Sequence, residues 1–189
     1  MELANPLPCR VRKSNTRLGI IVTALIVLVA GYGVANTSAF RWFLLQASLR
    51  SRFPNVQWIT ARELGDWLQD RQRQPPILLD VRTEAEWNVS HLGGARRVEP
   101  GARADVAVPD MPKEAPIVTY CAVGYRSGDL ATRLRAGGFT NVKNLDGGIF
   151  EWANEHRPLV CHGEPVSRVH PYNEFWGRLL SNDVRGPVR

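Results

Sequence analysis

Three observations predict an α/β fold, a parallel sheet flanked by helices. Short β-branched apolar runs recur along the middle of the chain, the first two are each followed by a helix-opening signature, and a cysteine stands where a later run passes directly into a helical pattern. Strands that alternate with helices pair in parallel through right-handed crossovers.

Taken in order, Val56 to Ile59 is the first strand candidate, and Thr60 with Glu63 forms a capping box behind it. Ile77 to Asp80 repeats the pattern, with Thr83 and Glu86 as the second box. A further strand is expected over Ala95 to Val98, and another over Pro116 to Tyr120, an apolar run of the kind buried on both faces of a sheet. The helix that follows has Leu130, Ala131 and Leu134 at helical spacing, Ser127 as its expected N-cap, and Gly137-Gly138 as its stop. Val142 to Leu145 supplies the last strand candidate. Ligands of such sheets bind outside the carboxyl ends of the strands, where Asp80, Arg82 and Cys121 fall.

The loop Cys121-Ala122-Val123-Gly124-Tyr125-Arg126-Ser127 carries the chemistry. A tight strand-to-helix loop turns successive N–H groups toward the positive end of the helix dipole and makes an anion cradle. Cysteines so placed are nucleophilic, although a lone cysteine at a strand end also serves as a small buried hydrophobe. Gly124 frees the backbone of the loop, and Arg126 adds a fixed cation five positions from the thiol.

With those residues in view, the chain resembles a single-domain rhodanese, a thiosulfate-type sulfurtransferase, from about Val56 to Val160. The matching segments are Leu78 to Trp87, His91 to Ala95, the cysteine loop, and Gly138 to Val142 with Leu145 to Trp152, in the family's order. The resemblance implies that Cys121 takes sulfur from a small sulfur-containing anion and passes it, as a persulfide, to a thiol or protein acceptor. It implies that backbone N–H groups of Ala122, Val123, Gly124, Tyr125, Arg126 and Ser127 hold the substrate, and that Arg126 binds the donor's oxygens. Asp80 and Arg82 are expected beside the pocket, with Asp80 holding the loop or Arg126; a structural ion pair between them is the alternative. His91 is expected in a turn or the core. No cofactor or metal is implied, and Cys161, His162 and His170 lack the paired spacing of a zinc site.

Two rival functions share these residues. Cysteine-dependent phosphatases of related fold place five residues between cysteine and arginine; here four intervene, Ala122 to Tyr125. A membrane-tethered interaction module that turns nothing over is the other, since fold does not imply function.

Charge and hydropathy divide the chain. Of the net +6, residues 1–55 carry +6, residues 56–160 carry −1 and residues 161–189 carry +1. The expected domain is therefore nearly neutral, without the basic stripe of a nucleic-acid-binding protein. A basic flank over 1–17 precedes an apolar segment over 18–39, in which Leu18 to Ala35 is free of charge. At 1.5 Å per residue that segment spans a bilayer core of roughly 30 Å, giving a single-pass anchor that contacts lipid. A cleaved signal peptide is the alternative, with Gly33-Val34-Ala35 or Thr37-Ser38-Ala39 as the site. The basic residues bias the amino terminus toward the cytoplasm and the domain toward the extracytoplasmic side. There a Cys121–Cys161 disulfide would act as a redox switch.

Residues 40–55 read either as an interfacial amphipathic helix or as a connector packed on the domain. The domain itself is expected over 56–160. The extension 161–189 includes a turn at His170 to Asn173 and a short helix containing Phe175 and Trp176.

Overall fold

Five parallel strands form one sheet in the order β1-β5-β4-β2-β3. In chain order β1 is Gln57–Ile59, β2 is Ile77–Asp80, β3 is Arg96–Arg97, β4 is Ile117–Tyr120 and β5 is Val142–Leu145. The computed structural model describes residues 38–109 and 111–188. The predicted parallel α/β architecture is thus observed, with each expected strand within a residue or so of its place. Register is regular through the centre, where Leu79 stands beside Thr119 and Thr119 beside Asn144.

Helices cover both faces: α1 (Ser38–Arg52), α2 (Ala61–Gln69), α3 (Glu84–Trp87), α4 (Ala104–Ala107), α5 (Tyr125–Ala136) and α6 (Gly148–Asn154). Both predicted capping boxes form, Thr60 with Glu63 and Thr83 with Glu86. One detail differs. Helix α5 opens two residues before Ser127, with Gly124 as its cap at φ 110, so Ser127 is a buried residue of the first turn. A Cβ at position 124 would meet the Trp58 ring at 3.3 Å, which together with that φ makes glycine the residue that fits.

The core divides across the sheet. On one side Leu64, Val118, Leu145, Ile149 and Phe150 pack together; on the other Leu79, Ile117, Leu130, Leu134 and Val142. Helix α1 belongs to this core: Leu49 and Phe53, just beyond the helix end, are buried, Trp42 and Leu45 pack against it, and Phe43 and Leu44 face outward. Each buried Leu or Phe contributes about 1.5–3 kcal/mol relative to leaving it exposed. The inner face of the segment expected over 40–55 packs on the domain, and its helix begins two residues earlier, at Ser38, inside the stretch assigned to the membrane segment.

The rest of segment 18–39, with the basic flank 1–17, lies outside the described residues. Among the described residues no helix is long and apolar enough to cross a membrane.

The expected boundary at residue 160 falls inside a strand. A hairpin of β6 (Leu159–Cys161) and β7 (Glu164–Val166) continues from the sheet domain, followed by α7 (Glu174–Gly177). Val169, Leu180 and Val184 join the same hydrophobic cluster as Phe150. The extension is therefore part of the fold, while α4 and the hairpin have no counterpart in the sequence reading.

Candidate active site

Cys121 follows the last residue of β4 and is 1% exposed. The N–H of Gly124 donates to its Sγ at 3.2 Å, so the loop closes on the sulfur. Three contacts from other elements fix that curl. The N–H groups of Ile149 and Phe150, in the first turn of α6, donate to the carbonyls of Cys121 at 2.9 Å and Ala122 at 3.1 Å. Asn144 Nδ2 donates to the carbonyl of Gly124 at 2.8 Å, while Asn144 Oδ1 accepts from Thr119 Oγ1 at 3.2 Å. In a trans peptide the N–H points opposite to the carbonyl, so pinning these carbonyls on α6 turns the Ala122 and Val123 N–H groups away from it. The first turn of α5, Tyr125 to Ser127, adds N–H groups without intrahelical partners.

Arg126 is held rather than free. Its Nη1 and Nη2 each donate to the carboxylate of Glu86 at 2.8 Å, a bidentate pair in which Glu86 is 1% exposed and Arg126 22%. Burial opposes the charge on Arg126, but the Glu86 hydrogen bond and the nearby Cys121 sulfur hold the guanidinium above its ordinary value. Burial also works against the Glu86 carboxylate; the bonds from Arg126 and the Thr83 N–H prevail and hold it below its usual range. One Glu86 oxygen, Oε2, serves the helix cap and the arginine together.

Asp80 and Arg82 are brought to each other, not to the loop. Arg82 Nε and Nη2 donate to the two Asp80 oxygens at 2.9 and 2.6 Å, and Nη2 donates also to the Ser90 carbonyl at 2.5 Å. Both side chains are fully buried. The expectation that Asp80 holds Arg126 or the loop is corrected: Glu86 holds Arg126, because the α3 cap sits beside the cysteine loop while the Asp80 side chain turns back onto Arg82. His91 stacks on Trp87 at 3.6 Å and bridges to Val160, a structural position. Cys121 and Cys161 are both free, and Cys161 Sγ donates to the Asn88 carbonyl at 3.1 Å.

The pocket over Cys121 has a volume of about 280 Å³. Its floor is the loop, from Cys121 to Arg126. One wall is α1, with Leu45, Ser48 and Leu49, and the other comes from the extension, with Tyr172 and Trp176. Tyr172 lays its ring 5.1 Å from the Arg126 guanidinium. A larger hollow of about 440 Å³, against Trp42, Gln46, Asp146 and Glu151, contains no cysteine or histidine.

The sequence reading therefore found the loop and missed Glu86, Asn144 and both walls. Asn144 had a signal, being polar within a strand buried on both faces. Glu86 looked fully employed by its cap.

The rhodanese-like domain family matches residues 60–155. A protein of Allochromatium vinosum named sulfurtransferase is 33% identical over 106 residues, 56% of this chain and 96% of that one. A probable adenylyltransferase/sulfurtransferase of Mycobacterium tuberculosis is 33% identical over 101 residues, 53% of this chain, and the chain spans 25% of its length. Among solved structures, the rhodanese-like domain of the Alr3790 protein from Anabaena sp. superposes with a TM-score of 0.50 at 26% identity, covering 55% of this chain and 78% of that one. With its cysteine loop closing a five-stranded parallel sheet and the family matched across half its length, the chain belongs to the rhodanese-like domain family.

Proposed function

We propose that the chain is a sulfurtransferase that carries sulfane sulfur on Cys121. The observation that carries this reading is the Gly124 N–H aimed at the sulfur from a loop whose carbonyls are tied down elsewhere. Donors that are already in place stabilise a negatively charged sulfur without reorganising.

In the first half-reaction the Cys121 thiolate attacks the outer sulfur of a donor such as thiosulfate. The donor's S–S bond breaks, sulfite leaves with the electron pair, and Cys121 is left as a persulfide anion. In the second half-reaction a thiol or protein acceptor attacks the terminal sulfur, and the Cys121 thiolate is regenerated. Covalent catalysis of this kind divides one difficult transfer into two easier ones. Ala122, Val123, Gly124, Tyr125, Arg126 and Ser127 hold the anionic sulfur through the backbone, and Arg126 keeps its remaining exposure on the pocket side. Asp80 and Arg82 brace the end of β2 beneath it.

In this reading residues 18–39 tether the domain to a membrane, on the extracytoplasmic side by the charge bias. Retention of the chain in the membrane fraction after alkaline carbonate washing tests the anchor; release into the supernatant refutes it.

The sulfur chemistry is tested by incubating the full-length protein with thiosulfate and measuring intact mass. A reducible gain of one sulfur that is absent from Cys121→Ser is expected. No gain on reduced, folded protein refutes the reading and leaves a binding module or a phosphatase.

A further inference from the structure

The family match ends at residues 60 and 155, yet the walls of the Cys121 pocket come from outside it, from α1 on one side and the extension on the other. Those walls are apolar and aromatic: Leu45 and Leu49 face Tyr172 and Trp176. At about 280 Å³ the pocket exceeds the roughly 150 Å³ cavity that accommodates a benzene molecule, so there is room for a ring beside the sulfur.

The charge in the pocket points the same way. Among the described residues that line it, Arg126 alone is charged, and Glu86 matches that charge through two 2.8 Å hydrogen bonds. A thiolate at Cys121 leaves the pocket with one net negative charge, of which the N-terminus of α5 offsets about half. An inorganic dianion enters such a site against its charge and leaves the apolar walls in contact with water. A monoanion with an apolar body about halves the first cost and avoids the second.

Resting on the reading of Cys121 as a sulfur carrier, we propose that this pocket selects sulfane-sulfur donors with an aryl or bulky alkyl body and at most one negative charge. Organic thiosulfonates and organic persulfides are the chemical class. For a thiosulfonate, the Cys121 thiolate attacks the terminal sulfur and the bond between that sulfur and the sulfonyl group breaks. The sulfinate leaves with the electron pair and Cys121 becomes the persulfide anion, with no external oxidant or reductant.

The test measures the second-order rate of Cys121 persulfidation by intact mass, on the full-length chain, with benzenethiosulfonate, methanethiosulfonate and thiosulfate. Each rate is divided by that of the same donor with glutathione in solution, which removes differences in leaving group. The expected result is a normalised preference for the benzene donor of about tenfold or more over the other two, the discrimination that one or two buried apolar groups provide. Trp176→Ala and Ser48→Phe should each reduce that preference severalfold, the first by removing a wall and the second by filling the space. Ser48 is exposed, so its substitution serves even where the tryptophan variant does not fold. Thiosulfate reacting as fast as the benzene donor, or a preference that neither variant changes, overturns the proposal while leaving a sulfurtransferase. Persulfidation by none of the three donors overturns the underlying reading.

Discussion

Gly148 is where a single methyl group should separate the loop from its support. It has φ +56, and a Cβ there would overlap the carbonyl oxygen of Cys121 and lie 2.6 Å from that of Ala122. Both are backbone atoms held by the Ile149 and Phe150 N–H groups, so neither can turn aside as a flexible side chain would. Left-handed backbone at a non-glycine residue costs roughly 1–2 kcal/mol. Forcing atoms into a filled site costs about 1–3 kcal/mol more. Gly148→Ala should therefore destabilise the protein by about 2–5 kcal/mol, as the sum of those two effects. Gly94→Ala isolates the first effect, because Gly94 has φ +75 and a methyl group there would find nothing within 4 Å. Urea unfolding of both variants, with a slope of roughly 1–3 kcal/mol per molar, resolves the difference. Persulfidation of Cys121 should slow in Gly148→Ala and remain as in the parent in Gly94→Ala. Equal destabilisation by the two substitutions would refute the claim that α6 carries the loop.

Glu86→Gln should cost about 2 kcal/mol, less than the 3–5 kcal/mol of a fully buried pair, because Arg126 retains some access to water. Since Glu86 is held below its ordinary value of 4.5, its contribution is complete above that pH and is lost as the pH falls through the folded-state value. Urea midpoints of parent and variant should accordingly converge on acidification, and a constant gap down to acid would count against the pair. Arg82→Met leaves the Asp80 carboxylate buried without its partner and should cost about 3–5 kcal/mol, most of it recovered in Asp80→Leu/Arg82→Met; thermal melts decide, and a harmless single variant sinks the assignment. Thr60→Ala and Thr83→Ala each remove a cap, worth about 1 kcal/mol. Only Thr83→Ala should also slow persulfidation, since its hydroxyl shares a Glu86 oxygen with Arg126, and equal rates in the two variants would contradict that coupling.

What the sequence made legible was what is local. The boxes at Thr60 and Thr83 and the strand before Cys121 depend on residues within four positions of one another, and each formed where expected. Ser127 misled because a hydroxyl caps readily, whereas here a glycine at φ 110 turns the loop and moves the cap, and with it the helix start, back three residues. The role of Glu86 was hidden because its partner lies forty positions away and its local cap already accounted for it. Asp80 was placed at the correct strand end, but direction could not be read: its side chain bonds the Arg82 N–H at 3.0 Å as well as the guanidinium, a local turn that takes it out of the site. Tyr172 and Trp176 are about fifty positions from the cysteine and outside any motif, so only folding brings them over it.

Whether the pocket walls move bears on the proposed donor preference. Surface pairing alone would hold α1 weakly, because the Arg50–Asp146 contact at 2.5 Å involves an arginine 51% exposed, and such pairs are worth about 0–1 kcal/mol. Leu49 and Phe53 change the balance, since lifting α1 off the core exposes both at about 1.5–3 kcal/mol each. The opposite wall is anchored in the same way, by Val169, Leu180 and Val184 on either side of Trp176. Opening either wall at a cost of about 3 kcal/mol or more leaves the open state below about one per cent, at 1.4 kcal/mol per tenfold. On the proposed reading, donor preference is set by a standing gap between two anchored walls, a preorganised site in which a donor of the right body finds its contacts already in place.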